Sequence, residues 1–186
     1  MKYRLLSFWM AVLLLISMIS VPRIEAANST ETFKDSADTK IVKLLEALGL
    51  MEIDSETGFF WDEMPVKRSE LAKIICKMFN ISETKDASPH FTDVSDYDRA
   101  YIETAIRNGY MSGYDNEKFG PDDYVTNIQL IKTFVTALGG DAAAQSQGGY
   151  PGGYITIGNM LGLLKGKAVA NENISRRIDV ANIIYT

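Results

Sequence analysis

Apolar residues along the chain follow the 3.6-residue period of amphipathic helices, and three such segments stop at a glycine. These segments are residues 41–49 (IVKLLEALG), 101–109 (YIETAIRNG) and 154–162 (YITIGNMLG). Their apolar positions fall on one helix face. Glycine adopts the left-handed conformation that closes a helix without the strain that other residues meet there. The pattern therefore predicts three short helices, each with a glycine after its last turn.

A second helix is predicted after each of these, and each begins at a related five-residue motif. The motif reads VKRSE at 66–70, VTNIQ at 125–129 and SRRID at 175–179, and an apolar helical stretch follows every copy. In the first two copies, Phe60 and Phe119 precede the motif's valine by the same interval. One helix pair cannot bury its apolar faces alone. We therefore expect an all-α fold of three helix–loop–helix repeats that pack on one another.

The repeats set the predicted domain boundaries. They occupy residues 37–80, 91–139 and 149–186, the first abbreviated at its start and the third short. Residues 27–36 are polar and predict a linker. The stretch 139–149, rich in Gly, Ala and Gln, predicts a flexible connector. The last helix reaches Thr186 after fewer residues than its counterpart in the first repeat, so either the bundle closes on a short helix or a C-terminal effector domain follows.

The first 26 residues predict a cleaved signal peptide. Basic Lys2 and Arg4 precede an apolar run over residues 5–19, and a small-residue cleavage site follows at 24–26. The run is shorter than the ~20 residues of a membrane-spanning helix. We therefore expect an exported protein with no membrane span after cleavage.

Charge narrows the range of partners. Cleavage would remove three basic residues and one acidic residue, so the net charge would change from −5 to −7. An acidic surface disfavours nucleic acid and anionic lipid as general partners. An anionic ligand would need a local basic pocket.

The second repeat carries a recognisable sequence motif. It reads F-x-D-V from Phe91, Y-I-x-x-A from Tyr101, G-x-x-x-G-Y from Gly109, F-x-P from Phe119 and V-T from Val125. This text resembles the S-layer homology (SLH) repeat, and the first and third repeats are similar to shorter forms of it. The resemblance implies a pseudo-threefold helical bundle with grooves between its repeats. It also implies a secreted protein of the bacterial, typically Gram-positive, cell wall or S-layer surface.

In that family the grooves bind secondary cell-wall polysaccharide attached to peptidoglycan, often pyruvylated, and an arginine of the I-T-R-A-E motif contributes to them. Arg68 and Arg177 match this arginine, while Glu70 and Asp179 match the glutamate. An arginine fork can bind a carboxylate through two charge-assisted hydrogen bonds, and a helix N-terminus adds partial positive charge. We expect the two arginines to contact an anionic polysaccharide and the two acids to orient them or to cap their helices.

Departures from the family motif indicate which copies are expected to bind an anion. Lys67 and Arg176 replace the usual threonine. Both are included in the predicted polysaccharide site; the alternative is that they are solvated neighbours that do not contact the ligand. In the middle copy Asn127 and Gln129 replace both charged residues, as expected of a pair whose members balanced each other. The groove at Asn127 is therefore expected to be weakened or lost as an anion site.

Catalysis and metal binding are not indicated. His90 is the sole histidine and no catalytic motif surrounds it. Cys76, the sole cysteine, lies in an apolar helix and predicts a buried thiol. Helix capping and turns account for the aspartates near residue 95, and no cofactor is expected. Phe60, Phe119 and Trp61 are expected to pack in the core or an interface, with sugar stacking as the alternative.

Two other functions compete with a wall anchor. In the first, degenerate repeats hold other S-layer subunits instead of glycan. In the second, the repeats anchor a wall-acting enzyme whose catalytic domain is not in this chain.

Overall fold

The computed structural model describes residues 39–82, 91–165 and 170–186. The predicted signal peptide, the predicted linker and His90 lie outside these ranges. The described residues form seven helices and contain no extended strand, only isolated bridges. The prediction of an all-α fold is confirmed.

The helices follow the predicted pairs. Their bounds are α1 Thr39–Ala47, α2 Arg68–Met78, α3 Asp96–Arg107, α4 Asn127–Ala137, α5 Asp141–Ser146, α6 Gly152–Met160 and α7 Arg177–Tyr185. Helices α1, α3 and α6 are the predicted first helices of the repeats, and α2, α4 and α7 are the second. Each second helix begins within its five-residue motif.

Glycines end the first helices as the sequence predicted. Gly49, Gly109 and Gly162 have φ angles of +63°, +73° and +85°, which are left-handed values. An L side chain at these positions would be strained even where space is free. The chain therefore turns sharply after α1, α3 and α6 towards the loop that leads to the second helix.

The second helix of each repeat packs on the first helix of another. Helix α2 packs on α3, α4 on α6, and α7 on α1, so the contacts run in a cycle through the three repeats. Phe60 and Phe119 are fully buried, as expected of core residues, and the thiol of Cys76 is buried as well. Burial of these faces is the main source of stability of such short helices.

The backbone at the three motifs forms a closed set of hydrogen bonds, here called the backbone ring. Val66 N–H donates to Ser175 O at 2.9 Å, Ser175 N–H to Val125 O at 2.7 Å, and Val125 N–H to Val66 O at 3.0 Å. Each of the three residues donates to one repeat and accepts from the other. The ring holds the starts of α2, α4 and α7 close together.

The connector between the second and third repeats is not the flexible segment that its composition predicted. Residues Asp141–Ser146 form helix α5, and Ala144 is fully buried. Alanine is the strongest helix former, and three alanines follow Asp141. A Cβ added to Gly153 of α6 would lie 2.0 Å from Ala144 O, so the two helices are in direct backbone contact. This close packing orders the connector.

Aspartates in the second repeat hold loops and helix ends, as predicted. The carboxylate of Asp93 accepts the backbone N–H groups of Phe119 and Gly120 at 3.0 and 2.9 Å. Asp115 accepts two N–H groups in its own turn. Asp93 therefore fixes the loop that carries the Phe119 ring.

Candidate functional site

Arg68 lies almost buried at the first position of α2, with 8% of its surface exposed. Its Nε donates to Phe119 O at 3.0 Å and its Nη2 to Ser112 O at 2.7 Å. The guanidinium carbon lies 4.7 Å from the centre of the Tyr114 ring and 4.5 Å from that of Phe119. Two carbonyls and two aromatic faces thus fix the side chain of Arg68 against the second repeat.

Among the described residues, the positive charge of Arg68 is not part of an ion pair. No carboxylate within the described ranges forms an ion pair with its guanidinium. Burial lowers the pKa of Arg68, while Tyr114, Asp123 and Asp93 act in the opposite direction. Arginine stays protonated in proteins, so a desolvated cation remains at this position.

Arg68 lines a cavity of about 470 Å³, here called the Arg68 groove. The other lining residues are residues 109–114, Gln129, Lys132, Thr133, Thr136, Asp141, Gln145, Tyr150 and Tyr154. All of them except Arg68 follow residue 100, so the first repeat contributes the arginine and the rest of the chain contributes the walls. A volume of this order is typical of ligand sites, which run from ~300 to 1,000 Å³.

Arg177 occupies the equivalent position at the start of α7. Its Nε donates to Phe60 O at 2.8 Å and its Nη2 to Glu52 O at 2.6 Å, and its guanidinium carbon lies 4.7 Å from the Phe60 ring centre. Its Nη1 donates to Glu70 Oε1 at 2.7 Å. The adjoining cavity, here called the Arg177 groove, measures about 100 Å³ and is also lined by residues 50–52, Glu70, Lys73 and Ile74.

Glu70 therefore differs from expectation in its partner. It was expected to orient Arg68 of its own motif, but its carboxylate pairs with Arg177 of the third repeat. It also accepts the backbone N–H of Lys67 and so caps α2, which is the other role expected of it. Burial raises the pKa of the Glu70 carboxyl, although the Arg177 charge works against that rise. The reason for the changed partner is the cyclic packing, which places the acid of one repeat beside the arginine of another.

Asp179 also has an unexpected partner. Of the two roles expected of it, Asp179 does not orient Arg177 but does cap α7, because its Oδ2 accepts from Arg176 N at 2.9 Å; the same oxygen also accepts from Arg176 Nε at 2.9 Å. Arg176 Nη1 pairs with Glu63 at 2.8 Å. Hydrogen bonds to Asp179 and then to Glu63 raise the pKa of Arg176. Two carboxylates thus balance the Arg176 guanidinium.

Lys67, the other basic neighbour in the predicted site, forms an exposed ion pair. Its Nζ lies 2.7 Å from Asp122 Oδ1, and this hydrogen bond raises the pKa of Lys67. Such a pair at a solvated position contributes little to stability, because water screens both charges. Lys67 lies outside the lining of the Arg68 groove.

The neutral residues of the middle motif serve separate roles. Asn127 Nδ2 donates to Asn171 Oδ1 at 2.8 Å, and Asn127 Oδ1 accepts from Ser175 Oγ at 2.8 Å. Gln129 Oε1 accepts Thr126 N–H at 3.1 Å and completes a capping box. The two amides do not act as a balanced pair with each other, because Gln129 lines the Arg68 groove while Asn127 faces the third repeat.

Several groove residues were not identified from the sequence. Lys132 Nζ lies 5.9 Å from the Tyr150 ring centre and 5.8 Å from that of Tyr154. Tyr114 and Tyr150 are exposed, whereas Tyr154 is buried and donates its hydroxyl to Asp141. One signal was available: Lys132 follows Gln129 by three positions, as Lys73 follows Glu70.

Across the residues that the structure describes, no cluster of His, Cys, Asp and Glu side chains could hold a metal ion. In the same residues, every helix is too short or too polar to cross a bilayer.

Trp61, which was expected to pack in the core or an interface, is 40% exposed, and its ring contacts Phe59 edge to face, so it packs only in part.

Comparison with known proteins gives a consistent result. Residues 90–130 match the family model described as S-layer homology domain. A protein named Surface layer protein, from Brevibacillus choshinensis, is 27% identical over 168 residues, which are 87% of this chain and 15% of that protein. Middle cell wall protein, from Brevibacillus brevis (strain 47), is 24% identical over 171 residues, which are 89% of this chain and 16% of that protein. The chain thus spans less than a fifth of the length of these relatives, and neither name denotes an enzyme.

Proposed function

We propose that this chain attaches non-covalently to the bacterial cell wall by binding an anionic secondary polysaccharide, because its residues 90–130 match the family model of the S-layer homology domain. The observation that carries the proposal is Arg68. Its desolvated guanidinium has no carboxylate partner in the described part of the chain and faces a cavity of about 470 Å³ that is walled by tyrosines. Burying an unpaired cation is costly, and an anionic ligand would remove that cost.

The chemistry of the groove suits an acidic sugar. An arginine held at Nε and Nη2 keeps the rest of its planar fork for a carboxylate or phosphate oxygen. Tyr114 and Tyr150 offer exposed ring faces of the kind that pack against the C–H face of a pyranose. A pyruvate ketal, as the family resemblance implies, would present a carboxylate of this kind.

The two relatives support attachment at the surface layer. They are named as a surface layer protein and a cell wall protein, and both align over most of this chain. We propose the same location for the protein that contains this chain, with the polysaccharide attached to peptidoglycan as its partner. Contacts with other S-layer subunits are the competing explanation.

The test measures binding to purified wall sacculi before and after chemical removal of the secondary polymer. We expect binding to be lost with the polymer. Binding that survives its removal would contradict the proposal and favour contacts with other S-layer proteins.

Variants at the equivalent position of each motif rank the three repeat interfaces in the same assay. Arg68→Glu should reduce sacculus binding by at least about tenfold, since it loses charge-assisted hydrogen bonds and adds repulsion. Arg177→Glu should have a smaller effect because Glu70 already neutralises Arg177. Asn127→Ala should change binding little. Thermal unfolding of each variant controls for loss of the fold, and Asn127→Ala as the most damaging change would show the ranking to be wrong.

A further inference from the structure

The Arg68 and Arg177 grooves have the same framework. In each, the arginine Nε donates to the carbonyl of a phenylalanine whose ring lies beneath the guanidinium. In each, Nη2 donates to a carbonyl that follows a first helix, from Ser112 in one groove and Glu52 in the other. The two grooves can therefore be compared residue by residue.

The charges on that framework differ at two positions. In the Arg177 groove, Glu70 pairs with Arg177 at 2.7 Å and Glu52 pairs with Lys73 at 3.0 Å. In the Arg68 groove, the residue equivalent to Glu70 is Gln129, which caps α4 as Glu70 caps α2. The residue equivalent to Glu52 is Ser112, by its carbonyl contact with the arginine.

Both acidic partners are thus absent from the Arg68 groove, while both cations are present. Within the described part of the chain, neither Arg68 nor Lys132 forms an ion pair with a carboxylate. One carboxylate, Asp141, lines the cavity, and it accepts hydrogen bonds from Tyr154 and Thr136. Lys132 lies near the rings of Tyr150 and Tyr154, which orient it without neutralising it.

We propose that the Arg68 groove binds a segment of acidic oligosaccharide with two anionic groups, one at Arg68 and one at Lys132. Arg68 and Lys132 line the same cavity, and its volume of about 470 Å³ has room for a ligand that carries an anionic group for each of them. The exposed Tyr114 and Tyr150 rings suit the sugar between the two charges. The Arg177 groove, with its cations paired internally, takes no such ligand. This inference rests on the proposed function and adds a second recognition point to it.

Small acids of defined charge test the two-anion requirement on the chain without its predicted signal peptide. Digalacturonate carries two carboxylates, and lactobionate is a disaccharide acid with one. By titration calorimetry we expect digalacturonate to bind about tenfold more tightly, equivalent to ~1.4 kcal/mol. Lys132→Gln should abolish this preference, and Lys40→Gln, on the exposed surface of α1, should preserve it. Equal affinity of the unaltered chain for the two acids would overturn the proposal.

Sacculus binding separates failure of this inference from failure of the proposed function. If Arg68→Gln abolishes binding and Lys132→Gln leaves it unchanged, the wall-anchor proposal stands and the two-anion proposal is overturned. If a folded Arg68→Gln variant binds as well as the unaltered chain, the wall-binding role of this groove fails as well. A loss of about tenfold in each variant supports both.

Restoring the missing acids gives a gentler test, because it leaves Arg68 in place. Gln129→Glu keeps an acceptor for Thr126 N–H, and Ser112 is exposed, so the double variant with Ser112→Glu should fold. Its two carboxylates should pair with Arg68 and Lys132 as Glu70 and Glu52 pair with Arg177 and Lys73. We expect sacculus binding to fall by at least tenfold with little change in melting temperature. Unchanged binding would overturn the two-anion proposal.

Discussion

At the scale of single residues, what distinguishes Arg68 from Arg177 is the acid beside it. Both guanidinium groups are held by two carbonyls and one phenylalanine ring. Only Arg177 also has a carboxylate within ion-pair distance, that of Glu70. Substitution of one acid by glutamine at residue 129 therefore changes the electrostatics of a groove whose arginine lies 61 positions earlier. The same motif can thus place its arginine in a structural ion pair or beside a neutral glutamine.

The sequence identified Arg68 and Arg177 but not their partners. The motif is local, so its alignment between the repeats and its position at a helix start could be predicted from the sequence alone. Glu70 and Arg177 are 107 positions apart, and their contact depends on which repeat packs beside which. The periodicity of a single sequence does not show which repeats are neighbours in the fold. Lys132 was missed for a related reason, because a lysine on a helix surface is usually solvated.

Asp93 gives a residue-scale prediction with a defined pH dependence. Burial opposes ionisation of Asp93, but the N–H donors of Phe119 and Gly120 outweigh it, so its pKa lies below the ordinary 3.8. The unfolded chain therefore binds the proton more tightly than the folded chain does. The stabilisation is complete above pH 3.8 and is lost as the pH falls through the lower folded value.

Asp93→Asn should accordingly reduce the free energy of unfolding by about 1 kcal/mol at pH 7. The difference between the variant and the unaltered chain should shrink as the pH drops below 3.8. Urea unfolding at a series of pH values measures both quantities. A difference that stays constant down to pH 2 would show that the Asp93 carboxylate charge is not responsible.

At the scale of elements, helices α5 and α6 pack so closely that there is no space for a side chain between them. Gly153, the second residue of α6, lies against the carbonyl of Ala144 in α5, and a Cβ there would lie 2.0 Å from that oxygen. Its neighbour Gly152 has open space around its own Cβ position. The order of the connector therefore depends on one residue without a side chain.

The contrast between these glycines is a direct test of that packing. Gly153→Ala should destabilise the chain by about 3 kcal/mol, because a backbone oxygen cannot move aside as a side chain can. Gly152→Ala should be neutral or stabilising by up to ~1 kcal/mol, since alanine is the better helix former. Chemical denaturation of the two variants provides the comparison. Equal stability of the two would mean that α5 does not pack on α6 in solution.

Element prediction succeeded where the signal was periodic and failed where it was compositional. The three glycine-closed helices were predicted because apolar spacing and a left-handed terminal glycine are both local. Helix α5 was missed because glycines and glutamines flank its three alanines. The helix is ordered because Ala144 packs on α6, and this tertiary contact cannot be predicted from amino-acid composition.

At the scale of the described repeats, each second helix packs on the first helix of another repeat. The contacts α2 with α3, α4 with α6 and α7 with α1 close a cycle, as do the three hydrogen bonds of the backbone ring. Both cycles support the pseudo-threefold arrangement that the family resemblance implies, which stays a prediction. With this connectivity, no repeat has a complete core of its own.

The three repeats should therefore unfold together. After signal cleavage Trp61, in the first repeat, would be the sole tryptophan, so its fluorescence reports on that repeat. The Gly153→Ala change in the third repeat should lower the Trp61 unfolding midpoint as much as the midpoint seen by far-ultraviolet circular dichroism. Two separate transitions in the variant would contradict cooperative unfolding of the three repeats.

The backbone ring has a mechanical consequence. Val66, Val125 and Ser175 each donate to one neighbour and accept from the other, so none of these segments has a free edge from which peeling could start. Tension that enters through Arg68 reaches the second repeat at Phe119 and Ser112, and it reaches the ring through the start of α2. Detaching any one segment means breaking its bonds to two others at once. A load applied at the Arg68 groove would thus be shared by all three repeats before any of them yields.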